Sequence, residues 1–230
     1  MLTALALGLA VSAGFLAWRK PALSVALVIF MNPFDWPVAV GPLTVYSNEL
    51  LLTGLFLGWL TQLAWNRGWK KVAWPDLVWA LPYTAALLFS SANAAYAPDV
   101  FKQTLRFAEM ALLAAWVAQA CKVERDTLDN LRLLIGMGLI SALVGLVQTA
   151  QGPQAALHAG QGLLTLYQGA VLRAYGTFGH PNQLAGYLIL ILPVTAVEVL
   201  NRSPWRARLF PGLSLLVMAA ALLLTFSRGA

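Results

Sequence analysis

The stretch Arg173-Ala-Tyr-Gly-Thr-Phe-Gly-His-Pro-Asn-Gln-Leu-Ala-Gly-Tyr187 gathers an arginine, a histidine and two carboxamides around glycines and a proline. Gly176 and Gly179 permit a tight, irregular backbone that a side chain would obstruct. Pro181 suits the first position of a helix, where its missing N–H costs nothing. From Asn182 the chain is apolar to Leu200, long enough to span a bilayer. The backbone N–H groups of Asn182 and Gln183 are therefore expected unpaired at the mouth of that helix, beside Arg173 and His180. Such a mouth is an anion site in kind. It is equally the ordinary start of a transmembrane helix, with Asn and Gln touching headgroups or water.

Other ionisable residues form a second tier. Lys102 and Arg106 are spaced i, i+4, and Glu109 is placed to pair with Arg106. Inside a membrane span such groups face a cavity or one another; near its end they snorkel to the interface. His158 lies in a polar loop, where a lone histidine is usually just solvated. Asp35 and Glu49 are carboxylates whose proximity sequence alone does not establish. A single Cys121 supports neither a disulfide framework nor a metal cluster. No phosphate loop, dinucleotide fingerprint, zinc spacing or nucleophile elbow occurs.

The elements that must hold these residues are apolar. The chain is 60% hydrophobic and 10% charged, with mean hydropathy +0.71, which excludes an ordinary soluble domain. Short polar turns separate apolar runs, the pattern of an all-α polytopic membrane protein with about eight transmembrane helices. The expected spans are 2–18, 21–33, 47–64, 76–91, 101–120, 137–150, 182–200 and one from about Pro211 to the Thr225-Phe-Ser-Arg-Gly-Ala230 end. Lys122–Arg132 reads as a charged loop, and Gln151–Leu172 as a surface helix or re-entrant segment. The net charge of +6 does not collect on one soluble face, so nucleic acid is not an expected partner. Eleven of the fifteen Lys and Arg fall in alternate turns. By the positive-inside rule those turns are cytoplasmic. Lys102, Arg106, Arg173 and Arg228 then share the outer side with both histidines. Trp36, Trp65, Trp69, Trp74 and Trp205 near span ends fit an aromatic belt.

Gly-Thr-Phe-Gly-His-Pro-Asn-Gln-Leu-Ala-Gly-Tyr187 resembles a signature of the bacterial O-antigen ligase and O-antigen polymerase superfamily. Thr225-Phe-Ser-Arg-Gly-Ala230 resembles the Ser-Arg-Gly element that opens the superfamily's next conserved region. The resemblance implies a GT-C-like fold, a single transmembrane domain over residues 1–230, and location in the bacterial inner membrane with a periplasmic or extracellular active face. It implies an inverting, metal-independent glycosyltransferase with no cofactor. Its donor would be a glycan on undecaprenyl diphosphate. Its acceptor would be lipid A–core for a ligase, another lipid-linked repeat for a polymerase, or a protein hydroxyl. A diphosphate leaving group needs fixed positive charge, and guanidinium groups bind phosphate bidentately. On this reading Arg173 and Arg228 bind diphosphate with Asn182 and Gln183, and Lys102 and Arg106 are second candidates. His180 is the local candidate for catalysis or substrate contact.

The superfamily's catalytic histidine belongs to a large external loop after the Ser-Arg-Gly helix. This sequence stops at Ala230, so the expectation is the N-terminal portion of a longer family member. The alternative is a non-catalytic membrane protein that binds or transports a lipid-linked glycan. Transporters carry charged or broken helices at the bilayer midplane and internal repeats, and neither pattern is visible here.

Overall fold

The computed structural model describes residues 2–34, 37–40, 43–66, 80–92, 97–121, 123–152, 167–168 and 171–227. Its architecture is mostly helical, with eight α-helices among those residues: α1 (Leu2–Arg19), α2 (Pro21–Met31), α3 (Ser47–Trp65), α4 (Ala80–Ala92), α5 (Ala97–Ala120), α6 (Glu124–Gln151), α7 (Pro181–Asn201) and α8 (Trp205–Leu224). Two small strand pairs interrupt them, β1 (Pro37–Val40) with β2 (Leu43–Tyr46), and β3 (Tyr167–Gln168) with β4 (Val171–Leu172). Among the described residues, three helices are long and apolar enough to cross a membrane: Arg125–Gln151, Pro181–Asn201 and Trp205–Leu224. Leu7–Arg19 and Pro21–Met31 are shorter apolar helices.

Hydroxyls within these helices are satisfied locally, as an environment without water demands. Ser12, Thr53, Thr61, Thr195 and Ser214 each donate to the carbonyl four residues earlier, at 2.8 to 2.9 Å. Pro193 and Pro211 sit inside α7 and α8 without ending them.

Two compact units divide the chain: Met1–Val25 with Val38–Val45 and Glu49–Thr127, and Ala26–Pro37 with Tyr46–Asn48 and Leu128–Ala230. In the first, Trp59 and Trp116 are buried with ring centroids 6.5 Å apart, and Trp59 Nε1 donates to Gln119 Oε1 at 2.9 Å. Gln62 Nε2 donates to the Trp18 carbonyl at 3.0 Å. Trp65 is exposed at the end of α3, as an aromatic belt requires, and so is Trp205 of the second unit at the start of α8.

The second unit carries the motif stretch. Its core joins Ile135 and Ala142 of α6, Ala174 of the loop before α7, Leu184, Leu188 and Ile191 of α7, and Met218 and Ala221 of α8. The buried residues of α7 (Pro181, Leu184, Ala185, Leu188, Ile191, Thr195) follow a helical repeat along one face. The opposite face is also apolar, with Leu190 and Leu200 about three-quarters exposed. A helix apolar all round belongs in lipid. Lipid provides little hydrophobic drive for helix association, so close packing of small residues must hold the three helices together. A Cβ on Gly138 would lie 2.8 Å from Met218 Sδ, and one on Gly145 3.2 Å from Leu184.

Three expectations are corrected. The charged stretch from Glu124 to Arg132 is the start of α6 rather than a loop. Its polarity is consumed by pairing: Arg132 Nη1 lies 3.2 Å from Asp129 Oδ1, and Arg132 Nε lies 4.0 Å from Glu198 Oε1 on α7. Glu198 also pairs with Arg202, whose carbonyl accepts from Arg208 Nε at 2.5 Å. Helix α8 begins at Trp205, not near Pro211, which is buried inside its second turn. Of the expected surface helix or re-entrant segment Gln151–Leu172, residues 167–168 and 171–172 pair as antiparallel strands and not as a helix, Tyr167 opposite Leu172 and Gln168 opposite Val171, whereas 153–166 lie outside the described residues. The start of the fourth span at Asp76 lies outside the described residues.

Candidate functional site

The site grows from a glycine. Gly176 has φ +61°, and a Cβ there would sit 2.5 Å from the Ser141 carbonyl oxygen of α6. Only glycine meets both demands. Gln148, one turn before the end of α6, holds this residue from both sides. Its Oε1 accepts from Gly176 N at 2.9 Å, and its Nε2 donates to the Gly176 carbonyl at 2.8 Å. Ser141 Oγ and Thr177 Oγ1 share a hydrogen bond of 3.0 Å. The Phe178 ring then packs on Tyr187, centroids 5.0 Å apart, across the first turns of α7.

The chain is thus aimed at His180, the N-cap of α7, in an extended conformation (φ −145°, ψ 140°). Its Nδ1 accepts from the Asn182 N–H at 3.1 Å. The Gln183 and Leu184 N–H groups donate to the His180 carbonyl at 3.0 and 3.3 Å. This corrects the expectation of unpaired N–H groups at Asn182 and Gln183: the cap has engaged both. The backbone N–H groups at this mouth are thus taken up, and side chains line it instead. Asn182 and Gln183 are exposed and His180 is half-buried. With Nδ1 accepting, the proton of neutral His180 resides on Nε2. The imidazole then presents Nε2, not the capping nitrogen, to its surroundings.

Arg173 reaches across the unit. Its Nε donates to the Thr225 carbonyl at 2.7 Å, and its Nη2 to Asn182 Oδ1 at 2.9 Å. The neighbouring Ala174 N–H donates to the Leu224 carbonyl at 2.9 Å. Thr225 is the C-cap of α8, where carbonyls lack helical partners and the dipole is negative. A guanidinium from 52 residues upstream therefore neutralises that helix end. Beyond it Phe226 takes a left-handed turn (φ 47°), and Thr225 Oγ1 accepts from Ser227 N at 3.2 Å. The first motif stretch thus meets the start of the second at Thr225. Arg228 follows Ser227 in sequence but lies outside the described residues, as do His158 and Asp35.

Lys102 and Arg106 belong to α5, in the first unit. Arg106 is exposed, and no ion pair joins it to Glu109 among the described residues, contrary to the spacing argument. Glu49 occupies the first turn of α3. Among the described residues no three His, Cys, Asp or Glu side chains gather as a metal-holding group. Sequence reasoning missed Gln148 and Thr225. The signal for Gln148 was one amide near the end of an otherwise apolar span. Tyr187 Oη is a further group at this end of α7, buried and without a hydrogen-bond partner.

No family model, no curated protein and no solved structure matches this chain.

Proposed function

We propose that the chain is part of a polytopic, GT-C-like membrane glycosyltransferase of the O-antigen ligase or polymerase type. It would transfer a glycan from undecaprenyl diphosphate at the outer face of the inner membrane. The observation that supports this reading is the double attachment of Arg173, to Thr225 at the end of α8 and to Asn182 at the start of α7. It joins the two stretches that carry the resemblance.

The roles differ from those expected of the residues separately. Arg173 is spent on its carbonyl and carboxamide partners, so it acts as a positioning residue for the turn that leads to Arg228. Arg228 is the diphosphate-binding guanidinium in this scheme, stabilising charge as the glycosidic bond to phosphate breaks. His180 donates from Nε2 to a phosphate or sugar oxygen. Asn182 and Gln183 offer carboxamides at the same mouth. The reaction is inverting and uses no metal.

The test is transfer in vitro by the complete translated product, supplied with undecaprenyl-diphosphate glycan and lipid A–core, or with no added acceptor. Transfer to lipid A–core that disappears in Arg228→Ala identifies a ligase. Chain extension without added acceptor identifies a polymerase. If neither product forms while the donor still binds, the enzyme reading fails and a binding or transport role replaces it.

A further inference from the structure

A second site lies in the first unit, on the face where α1 meets α3, and is independent of glycan transfer. Gly14, Gly54 and Gly58 bring the two backbones into contact. A Cβ on Gly14 would lie 2.8 Å from the Gly54 carbonyl, and Cβ atoms on Gly54 and Gly58 would collide with the carbonyls of Ala10 and Gly14. Small residues at this spacing let membrane helices pack backbone to backbone. With no side chain between the helices, the seam is a furrow walled by Leu7, Val11 and Phe15 of α1 and Leu50 and Leu57 of α3. Its volume is about 730 Å³. The walls are open to the surroundings: Val11 is 73% exposed and Leu57 60%.

The furrow has a polar end. Arg19, the last residue of α1, lines it and is exposed, and Lys20 beside it is exposed as well. Among the described residues no hydrogen bond or ion pair engages the Arg19 side chain. From Leu7 to Arg19 a helix rises about 18 Å. One leaflet of a hydrocarbon core roughly 30 Å thick is about 15 Å deep. An apolar slot one leaflet deep that ends on a cation matches one chain and one headgroup of an anionic lipid. A partner helix fits it less well, because the glycines that would let a backbone approach are already used between α1 and α3.

We propose that this furrow seats an acyl chain of an anionic phospholipid, with the headgroup phosphate against Arg19. By the charge distribution of the turns, the leaflet is the cytoplasmic one, where basic residues recruit anionic lipid.

The test is lipid retention by the purified full chain, exchanged into nanodiscs of phosphatidylglycerol and phosphatidylcholine in equal amounts and read by native mass spectrometry after detergent extraction. Wild type should retain phosphatidylglycerol about fivefold over phosphatidylcholine, the selectivity one basic residue at the surface supplies. Arg19→Gln should bring the ratio to parity, and Val11→Trp, which fills the furrow from an exposed position, should lower retention of both lipids. Equal retention of the two lipids by wild type overturns the proposal. So does an unchanged preference in Arg19→Gln, or undiminished retention in Val11→Trp.

Discussion

Gly176 and His180 fix the site by different means, and each can be tested alone. At Gly176 an added methyl meets both a left-handed backbone and the Ser141 carbonyl at 2.5 Å. Gly176→Ala should therefore destabilise the protein by about 1–3 kcal/mol, the usual range for a strained backbone position, read as a lowered thermal midpoint in detergent. At His180 the contribution is a cap. His180→Ala leaves the Asn182 N–H without its acceptor and should cost about 1 kcal/mol. His180→Asn restores a capping oxygen and should recover most of that stability in the same measurement. If the asparagine variant also fails to support transfer, the imidazole has a contact with substrate beyond the cap. The glycine and the proline were legible as residue types, because a left-handed turn and a first helical position select them. The partners of Gly176 were not. Gln148 lies 28 residues earlier, and nothing in its neighbours marks the carboxamide as a clamp.

Among the elements, α7 was the most legible: Pro181 opens it, and its apolar run is unbroken to the last turn. Helix α6 was misjudged at its start because Asp129 and Arg132 make Lys122–Arg132 resemble a loop. Arg132 pairs locally with Asp129 and stands 4.0 Å from Glu198, which lies 66 residues away and so is invisible to any local pattern. The Glu198 side chain is only 13% exposed. Its pairing with Arg202 is the closer one, whereas Arg132 stands at 4.0 Å and is half exposed. Exposed pairs contribute roughly 0–1 kcal/mol and buried ones lose several when broken. Glu198→Gln should accordingly lower stability by about 1–2 kcal/mol, between those limits. A double-mutant cycle with Arg132→Gln should give a coupling under about 0.5 kcal/mol, since that pair is long and solvated. A larger coupling would mean that Arg132 draws α6 onto α7 more tightly than its distance implies.

At the scale of the whole molecule, the single cysteine reports topology without engineering. Cys121 begins the short connection between α5 and α6, followed in sequence by Lys122 and, at the start of α6, Arg125. On the positive-inside reading of the sequence, that turn is expected in the cytoplasm. A membrane-impermeant maleimide should leave it unlabelled in intact cells and modify it in inverted vesicles; labelling from outside would reverse the assigned orientation of every span. The order of synthesis adds a consequence of the Arg173 bridge. Residue 173 leaves the ribosome some fifty residues ahead of Thr225, its principal partner. Until α8 has entered the membrane, the guanidinium has no helix end to cap, and Ala174 N–H has no carbonyl at Leu224. The motif segment therefore cannot mature during translation of α7. It is completed only when α8 arrives, so a nascent chain stalled within α8 should remain open to protease at Arg173 while α7 is already inserted.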